Sequence, residues 1–270
     1  MLIYSVVMEN LQAEAEFFHS IARAVIKLVE NSNGERTIVE DKGAGDYSTR
    51  VDVDVENLIV AELGKRFPND QILAEEGYSD TEISENRVWI IDPICGTSNL
   101  GKGINNFCTN IALVNGGKVI ASCVVDHSQG EYLWSIGKDE VRINDKLYRP
   151  LSQKLGQKID IDFGSVRSVD KNIRRKHNNC LMKLVQETDW DLVSFNTSLA
   201  FAYTAIGKTD GFINVFNHPW DIAAASFLIQ QSGGVITGID GSPWTISTIG
   251  AIGGRTPEIH QELLALFLNS

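Results

Sequence analysis

Trp89-Ile90-Ile91-Asp92-Pro93-Ile94-Cys95-Gly96-Thr97-Ser98-Asn99-Leu100 is the stretch on which the reading of this chain turns. The apolar run from Val88 to Ile91 has the length and composition of a short buried strand. A carboxylate ends it, followed by a proline and a Gly-Thr-Ser turn. Pro93 fixes its own φ and biases Asp92 toward an extended conformation, which predicts a carboxylate held at the strand's end. Gly96 permits a tight backbone path, and the N–H groups after it can converge on one concavity. Such a corner suits a metal ion beside an oxyanion such as phosphate. It equally suits a strand end with a polar turn.

Two further segments bear on that choice. Glu75-Glu76-Gly77 follows the short apolar run Ile72-Leu73-Ala74, and far downstream His218-Pro219-Trp220-Asp221 opens an Ala-rich helical stretch. With the central stretch, these resemble the inositol monophosphatase family. That family's pattern is an acidic pair, a strand ending Asp-Pro-Ile-Asp-Gly-Thr, and Trp-Asp before a helix. Its fold and metal chemistry are shared with fructose bisphosphatases and 3′-phosphoadenosine bisphosphate nucleotidases. The resemblance runs from about Lys42 to Gly234, with the pieces in the family's order. One residue departs: Cys95 stands where the family has the second Asp of its central motif.

Composition sets outer bounds. With 270 residues, 43 % hydrophobic and 22 % charged, the chain can bury a full core as one large domain or two intimate ones. A net charge of −11 and the absence of a Lys/Arg cluster argue against nucleic-acid binding. A small phosphorylated substrate stays open, because bound cations can invert the local field. The four cysteines, Cys95, Cys108, Cys123 and Cys180, show no Cys-x-x-Cys or zinc-type spacing. Met1 to Met8 lacks the pattern of a secretory signal, and no apolar run reaches the ~18–20 residues of a membrane span. The expectation is a cytoplasmic protein with no membrane partner.

Along the chain, Leu11, Ala15, Phe18, Ala22, Val25 and Val29 recur at helical spacing. A strand over Thr37 to Glu40 leads to a loop, Asp41 to Asp46. Thr49-Arg50-Val51-Asp52 resembles a capping box opening a second helix. Cys108 to Val114 and Val119 to Val125 flank Asn115-Gly116-Gly117-Lys118, a hairpin signal, and Glu131 to Ile136 reads as a third strand. The polar pattern from Arg149 to Lys158 suggests a boundary between an α+β subdomain, 1–150, and an α/β subdomain, 151–270. The second contains strands at Ile159 to Phe163, Asp191 to Phe195, Gly211 to Phe216, Val235 to Thr237 and Ile249 to Ile252. Its helices are expected at about Asp170 to Glu187, Ser198 to Ile206 and Pro219 to Gln231, with a last one starting at Thr256-Pro257. The resemblance implies that these elements form a five-layer αβαβα sandwich of the sugar-phosphatase type, with the site between the halves.

The resemblance also implies roles, position by position. Glu75, Asp92 and the Ile94 carbonyl match the ligands of a first Mg²⁺; Asp92, Cys95 and Asp221 match those of a second. Hard divalent cations want oxygen donors, and two of them can clamp the attacking and leaving oxygens of a phosphoryl displacement. Glu75 and Thr97 match residues that orient the nucleophilic water. Asp52 matches an acid behind that water, and equally reads as a cap in a helix's first turn. Glu76 reads as a third, weak metal contact or a solvated acid, and Lys42 as a metal-loop lysine or an exposed one. Trp220 reads as core packing that locks Asp221, and His218 as structural. Gly96, Thr97, Ser98, Asn196 and Asn214 fall where the family holds substrate. Asn214 replaces an acidic residue that binds an inositol hydroxyl. Asn196 replaces a glycine, a change a turn survives because Asn tolerates positive φ.

The activity so implied is a Mg²⁺-dependent phosphomonoesterase acting on an inositol phosphate or sugar phosphate, in a homodimer. A 3′(2′),5′-bisphosphate nucleotidase and a non-catalytic phospholigand-binding homologue are the alternatives. Cys95 keeps them open, since a thiol is a poor Mg²⁺ ligand and a thiolate prefers softer metals. The site could need high Mg²⁺ or Mn²⁺, recruit a softer metal, or be hydrolytically dead. A nucleophilic Cys95, its pKa lowered by turn N–H groups, is a further idea, but the Cys-x₅-Arg signature of cysteine phosphatases is absent.

Overall fold

The structure, a computed structural model, describes residues 11–32, 37–43, 46–81, 83, 86–149 and 157–270. Helix α1 (Gln12–Asn31) buries Ala15, Phe18, Ala22 and Val25 along one face, as the spacing predicts. The strand expected at Thr37 to Glu40 is present but runs on into the expected loop, as β1 (Ile38–Gly43), which pairs antiparallel with β2 (Asp46–Thr49). Ala44 and Gly45 lie outside the described residues. Helix α2 (Arg50–Arg66) starts at the predicted capping box, and buries Val51, Val55, Ile59 and Leu63.

Strands β3 (Gln71–Ala74) and β4 (Val88–Cys95) pair in parallel, and a short helix, α3 (Thr97–Lys102), follows β4. Next come β5 (Cys108–Asn115), β6 (Lys118–Asp126), β7 (Glu131–Ser135), β8 (Arg142–Ile143) and β9 (Lys146–Leu147). These complete a seven-stranded sheet in the order β3-β4-β5-β6-β7-β8-β9. Gly116 and Gly117, at φ 57° and 69°, make the tight turn between β5 and β6. The proposed boundary segment falls largely on 150–156, outside the described residues.

The remaining elements are β10 (Lys158–Ile161), α4 (Lys171–Glu187), β11 (Asp191–Val193), α5 (Leu199–Ala205), β12 (Gly211–Asn214), α6 (Pro219–Gln231), β13 (Val235–Gly238), β14 (Ala251–Gly254) and α7 (Pro257–Leu268). Their strands form a mixed sheet in the order β11-β10-β12-β14-β13. Strand alternation generates the layers. In β4, Trp89 and Ile91 face α1 and α2. Val88 and Ile90 face the opposite side, where α5 and α6 lie between the two sheets. On the far side of the second sheet, α4 and α7 bury Leu184, Leu263 and Phe267 against Ile159, Ile213 and Ile252. Helices, sheet, helices, sheet, helices make the expected five-layer sandwich. Among the described residues no helix is long and apolar enough to cross a membrane.

The central strand does not end at Asp92, as the sequence suggests; it runs on to Cys95. Asp92 pairs with Asn110 and Cys95 with Cys108, so three steps on β4 oppose two on β5. That is a bulge, and Pro93, which has no N–H to donate, sits within it. In a regular strand residues 92 and 94 would share a face. The extra residue sends Ile94 into the α1–α2 core and turns Cys95 toward α5 and α6.

Trp89 anchors this strand. It is fully buried, its ring centroid lies 5.1 Å from those of Phe17 and Phe67, and its Nε1 donates to Asp70 Oδ2 at 2.8 Å. Trp89→Ala should cost about 3–5 kcal/mol in urea denaturation, through the cavity and the lost hydrogen bond. Ile38→Ala, at a site 55 % exposed, should stay within about 0.5 kcal/mol of wild type.

Candidate active site

A cleft of about 790 Å³ opens where the end of β4, the entry to α5 and the start of α6 meet. Glu75, Asp92, Ile94, Cys95, Thr97 and Asp221 all line it. Their elements come from both halves of the chain. β3 runs beside β4 and ends just before Glu75, whose N–H donates to the Ile91 carbonyl. The β4 bulge presents Asp92 and Cys95, and the first turn of α6 supplies Asp221. Ligand atoms of Asp92, Cys95 and Asp221 all lie within 4.8 Å of one another.

Asp92 is the least solvated member, with no exposed surface. Its Oδ2 receives Asn110 Nδ2 at 3.4 Å, while its Oδ1 has no hydrogen-bond partner among the described residues. Burial raises its pKa well above the usual carboxylate range, and Cys95, Glu75 and Asp221 add to the shift. Glu75 is pushed up to about 7, by burial first; Lys42 opposes the shift and Asp221 reinforces it.

Lys42 is not the freely solvated lysine of one sequence reading. Its Nζ lies 2.9 Å from Glu75 Oε1 and 2.9 Å from Glu76 Oε1. Burial alone would depress its pKa, yet the two carboxylates outweigh burial and hold it above its ordinary value. Glu76 is thus an ion-pair partner in the cleft. Glu56 lies beneath, accepting the N–H groups of Glu76 and Gly77 at 2.9 and 2.7 Å.

Asp52 caps the helix as one reading expected, and divides its two oxygens between Thr49 and Thr97. Oδ2 accepts the Thr49 N–H at 2.9 Å and the Thr49 hydroxyl, capping α2. Oδ1 lies 2.7 Å from Thr97 Oγ1, which is also 2.9 Å from the Ile94 carbonyl. Gly96 makes this corner possible at φ 99°; a Cβ there would come within 3.2 Å of the Asn106 carbonyl and Thr197 Cβ.

The sulfur of Cys95 accepts the Ser198 N–H at 3.1 Å, and the Cys95 carbonyl accepts the Thr197 hydroxyl at 2.9 Å. The suggested lowering of its pKa is not found. The hydrogen bond with Cys108, followed by loss of solvent, pushes the thiol well up and outweighs the opposing Ser198 side chain. Cys95 is therefore no thiolate nucleophile by itself.

Toward the far wall, Asn196 adopts the positive φ anticipated, 53°. Asn214 is buried; its Nδ2 donates to Asp162 Oδ2 at 2.8 Å, and its Oδ1 has no partner among the described residues. Ser98 also lines the cleft. Trp220 is half-buried, packs against the central core as expected, and also lines the cleft, stacked on His218 at 4.7 Å. The His218 N–H donates to Asp221 Oδ2 at 2.7 Å, which orients that carboxylate. Sequence reasoning missed Asp162, Thr197 and Ser198. The last two lie in a turn that was read only for its lost glycine. Asp162 follows a strand like many solvated acids.

A family model described as the inositol monophosphatase family matches residues 10–270. The inositol-1-monophosphatase of Bacillus subtilis is 26 % identical over 251 residues, 93 % of this chain and 94 % of that protein. The Nus factor SuhB of Vibrio cholerae is 27 % identical over 213 residues, 77 % of this chain and 78 % of that protein. Among solved structures, an IMPase of Thermotoga maritima matches with a TM-score of 0.81 at 26 % identity, over 95 % of this chain and 97 % of that one.

The electrostatics of Glu75 give a measurable pH dependence. Its pKa rises from an ordinary 4.5 to about 7 on folding, so between those values the folded state holds more protons than the unfolded one. Its stabilising contribution is full below about pH 4.5 and is lost as pH rises through about 7. In urea denaturation with a chelator present, Glu75→Gln should lose stability less steeply than wild type between about pH 5 and 7. Asp160, also pushed up to about 7 by burial, is common to both proteins and cancels. Equal slopes would mean that Glu75 is ionised throughout.

Proposed function

This chain belongs to the inositol monophosphatase family, a family of metal-dependent phosphatases, and from that premise we propose that it hydrolyses a small phosphomonoester by attack of a metal-activated water. The observation that carries the reading is Asp92, a wholly buried carboxylate with an unpartnered oxygen among other acids. Such a group is costly unless a cation joins it. Glu75, Asp92 and the Ile94 carbonyl would hold Mg²⁺, whose preference for oxygen donors they fit. When bound, the ion supplies Lewis acidity and a water of lowered pKa.

The chain's own groups do the rest. With its proton toward Asp52 Oδ1 or the Ile94 carbonyl, Thr97 Oγ1 offers a lone pair to the cleft and can orient an attacking water. Glu75, which lines the cleft with Asp92, would help to orient that water. Gly96, Thr97 and Ser98 line the cleft beside the metal ligands and would hold the phosphate. Asn214 Oδ1 has no partner among the described residues, while one of the two Nδ2 hydrogens is engaged by Asp162. The Oδ1 therefore suits a hydroxyl donor on an inositol or sugar. The cleft volume is that of a small-molecule site.

Phosphate release should be assayed across inositol phosphates, sugar phosphates and nucleoside bisphosphates, with Mg²⁺ or Mn²⁺ titrated. Metal-dependent turnover is expected, with chelator abolishing it and Asp92→Asn lowering kcat at least ~100-fold, the scale of losing one electrostatic stabiliser. Thr97→Val should lower kcat more than it raises KM. Undiminished release by Asp92→Asn, or saturable ligand binding without turnover under every metal, overturns the proposal.

A further inference from the structure

Cys95 does not fit a second Mg²⁺. That ion demands near-octahedral oxygen coordination and binds sulfur poorly. We propose that the Asp92–Cys95–Asp221 trio instead binds a thiophilic divalent cation of the zinc class, with the Cys95 sulfur as a thiolate ligand. The inference deepens the phosphatase reading and rests on it for the purpose of the site.

Four observations point the same way. The three ligand atoms already converge within 4.8 Å. Asp92 is fully buried, lines the cleft, and its Oδ1 has no hydrogen-bond partner among the described residues. The β4 bulge turns Cys95 onto the side of the strand that faces α5 and α6, so its placement is built into the sheet register. Finally, its sulfur and carbonyl are both held, by the Ser198 N–H and the Thr197 hydroxyl. An N–H donated to sulfur orients a metal-bound thiolate and offsets its charge.

The other nearby thiol, Cys108, is a hydrogen-bond partner of Cys95 rather than a member of the trio. Cys108 Sγ lies 3.4 Å from Ser198 Oγ and 3.7 Å from Asn110 Oδ1, and it does not line the cleft. One thiolate and two carboxylates give three protein donors. Zinc sites with three protein ligands keep a fourth position for water or a substrate oxygen. On binding, the sulfur–metal bond forms as the S–H bond breaks, and the proton leaves to solvent. No oxidant or reductant is needed.

Co²⁺ is the probe, because a thiolate–Co²⁺ bond gives an intense near-ultraviolet charge-transfer band that oxygen ligands do not. Wild-type protein titrated anaerobically with Co²⁺ should develop this band at stoichiometric metal. Near-equimolar Zn²⁺ should bleach it, and millimolar Mg²⁺ should leave it. Cys108→Ser should keep the band; Cys95→Ser and Cys95→Asp should lose it, with circular dichroism checking that they fold. Cys95→Ser should weaken Zn²⁺ binding by more than the roughly 10–100-fold typical of losing a group that merely orients a ligand. No band in wild type, a band that follows Cys108, or displacement by Mg²⁺ as readily as by Zn²⁺ would each overturn the inference. The phosphatase reading fails separately. Mg²⁺-dependent phosphate release without a thiolate band leaves that reading standing and removes this one. A Cys95-dependent band without release under any metal does the reverse.

Discussion

A carboxylate buried inside a sheet is the constraint around which this protein is built. Asp92 has no exposed surface and one oxygen without a donor among the described residues. Left alone in a hydrophobic core, an ionised group of this kind costs several kcal/mol even after relaxation, roughly enough to consume a small domain's net stability. The fold keeps it next to a cleft rather than within the core. The bulge that carries it sits where the seven-stranded sheet, the middle helices and the loop after β11 meet. Trp89 and Ile91, three residues and one residue earlier on the same strand, are locked into the α1–α2 core. The strand is thus fixed on its apolar side, and Asp92 cannot withdraw from the position its neighbours impose.

What was legible in the sequence follows the strength of the local signal. Helix α6 has Pro at its first position and Gly233 in the left-handed conformation after its end, so both boundaries could be read. The glycine pair between β5 and β6 demanded a turn, and the capping box before α2 announced a helix. The β1–β2 pair was legible only in part: the strand read at Thr37 to Glu40 overlaps β1, but no apolar run marks its continuation through Asp41-Lys42-Gly43 or the partner strand β2. Strands β8 and β9 are two residues each, too short for any period. Pro93 misled, because proline after an apolar run reads as a stop. In a bulge it interrupts one ladder position and the strand resumes. The gathering of Glu75, Asp92 and Asp221 in one cleft was legible, because residue types and order coincided there. No such coincidence marked Asp162 or Ser198, whose roles arise only from what packs opposite them.

The second half of the chain sets the geometry of the first half's turn. The Phe195 carbonyl accepts Asn106 Nδ2 at 2.7 Å and Asn99 Nδ2 at 3.2 Å, and Thr197 and Ser198 grip Cys95. Phe195 is in turn held by Asp160, which accepts its N–H at 2.9 Å. The corner after β4 is therefore stapled to the loop that enters α5. Any relative movement of the two sheets would disturb Cys95 before it reached Glu75, whose nearest ties are to Lys42 and the Ile91 carbonyl.

Negative charge in the cleft is balanced differently on its two sides. Near Glu75 and Glu76 the chain supplies its own cation, Lys42, held by both carboxylates. Near Asp92 and Asp221 it supplies a thiol that stays protonated in the absence of a cation, because Cys108 and the loss of solvent raise its pKa. An aspartate there would add a third negative charge within a few ångströms and sharpen the mutual repulsion. A neutral thiol relieves that repulsion and eases folding, and becomes anionic only when a metal expels its proton. The substitution thus lowers the electrostatic cost of the empty cluster while preserving a ligand for a cation soft enough to claim it. Selectivity would then rest on the metal's affinity for sulfur, since the carboxylates on either side offer every divalent ion the same oxygen donors.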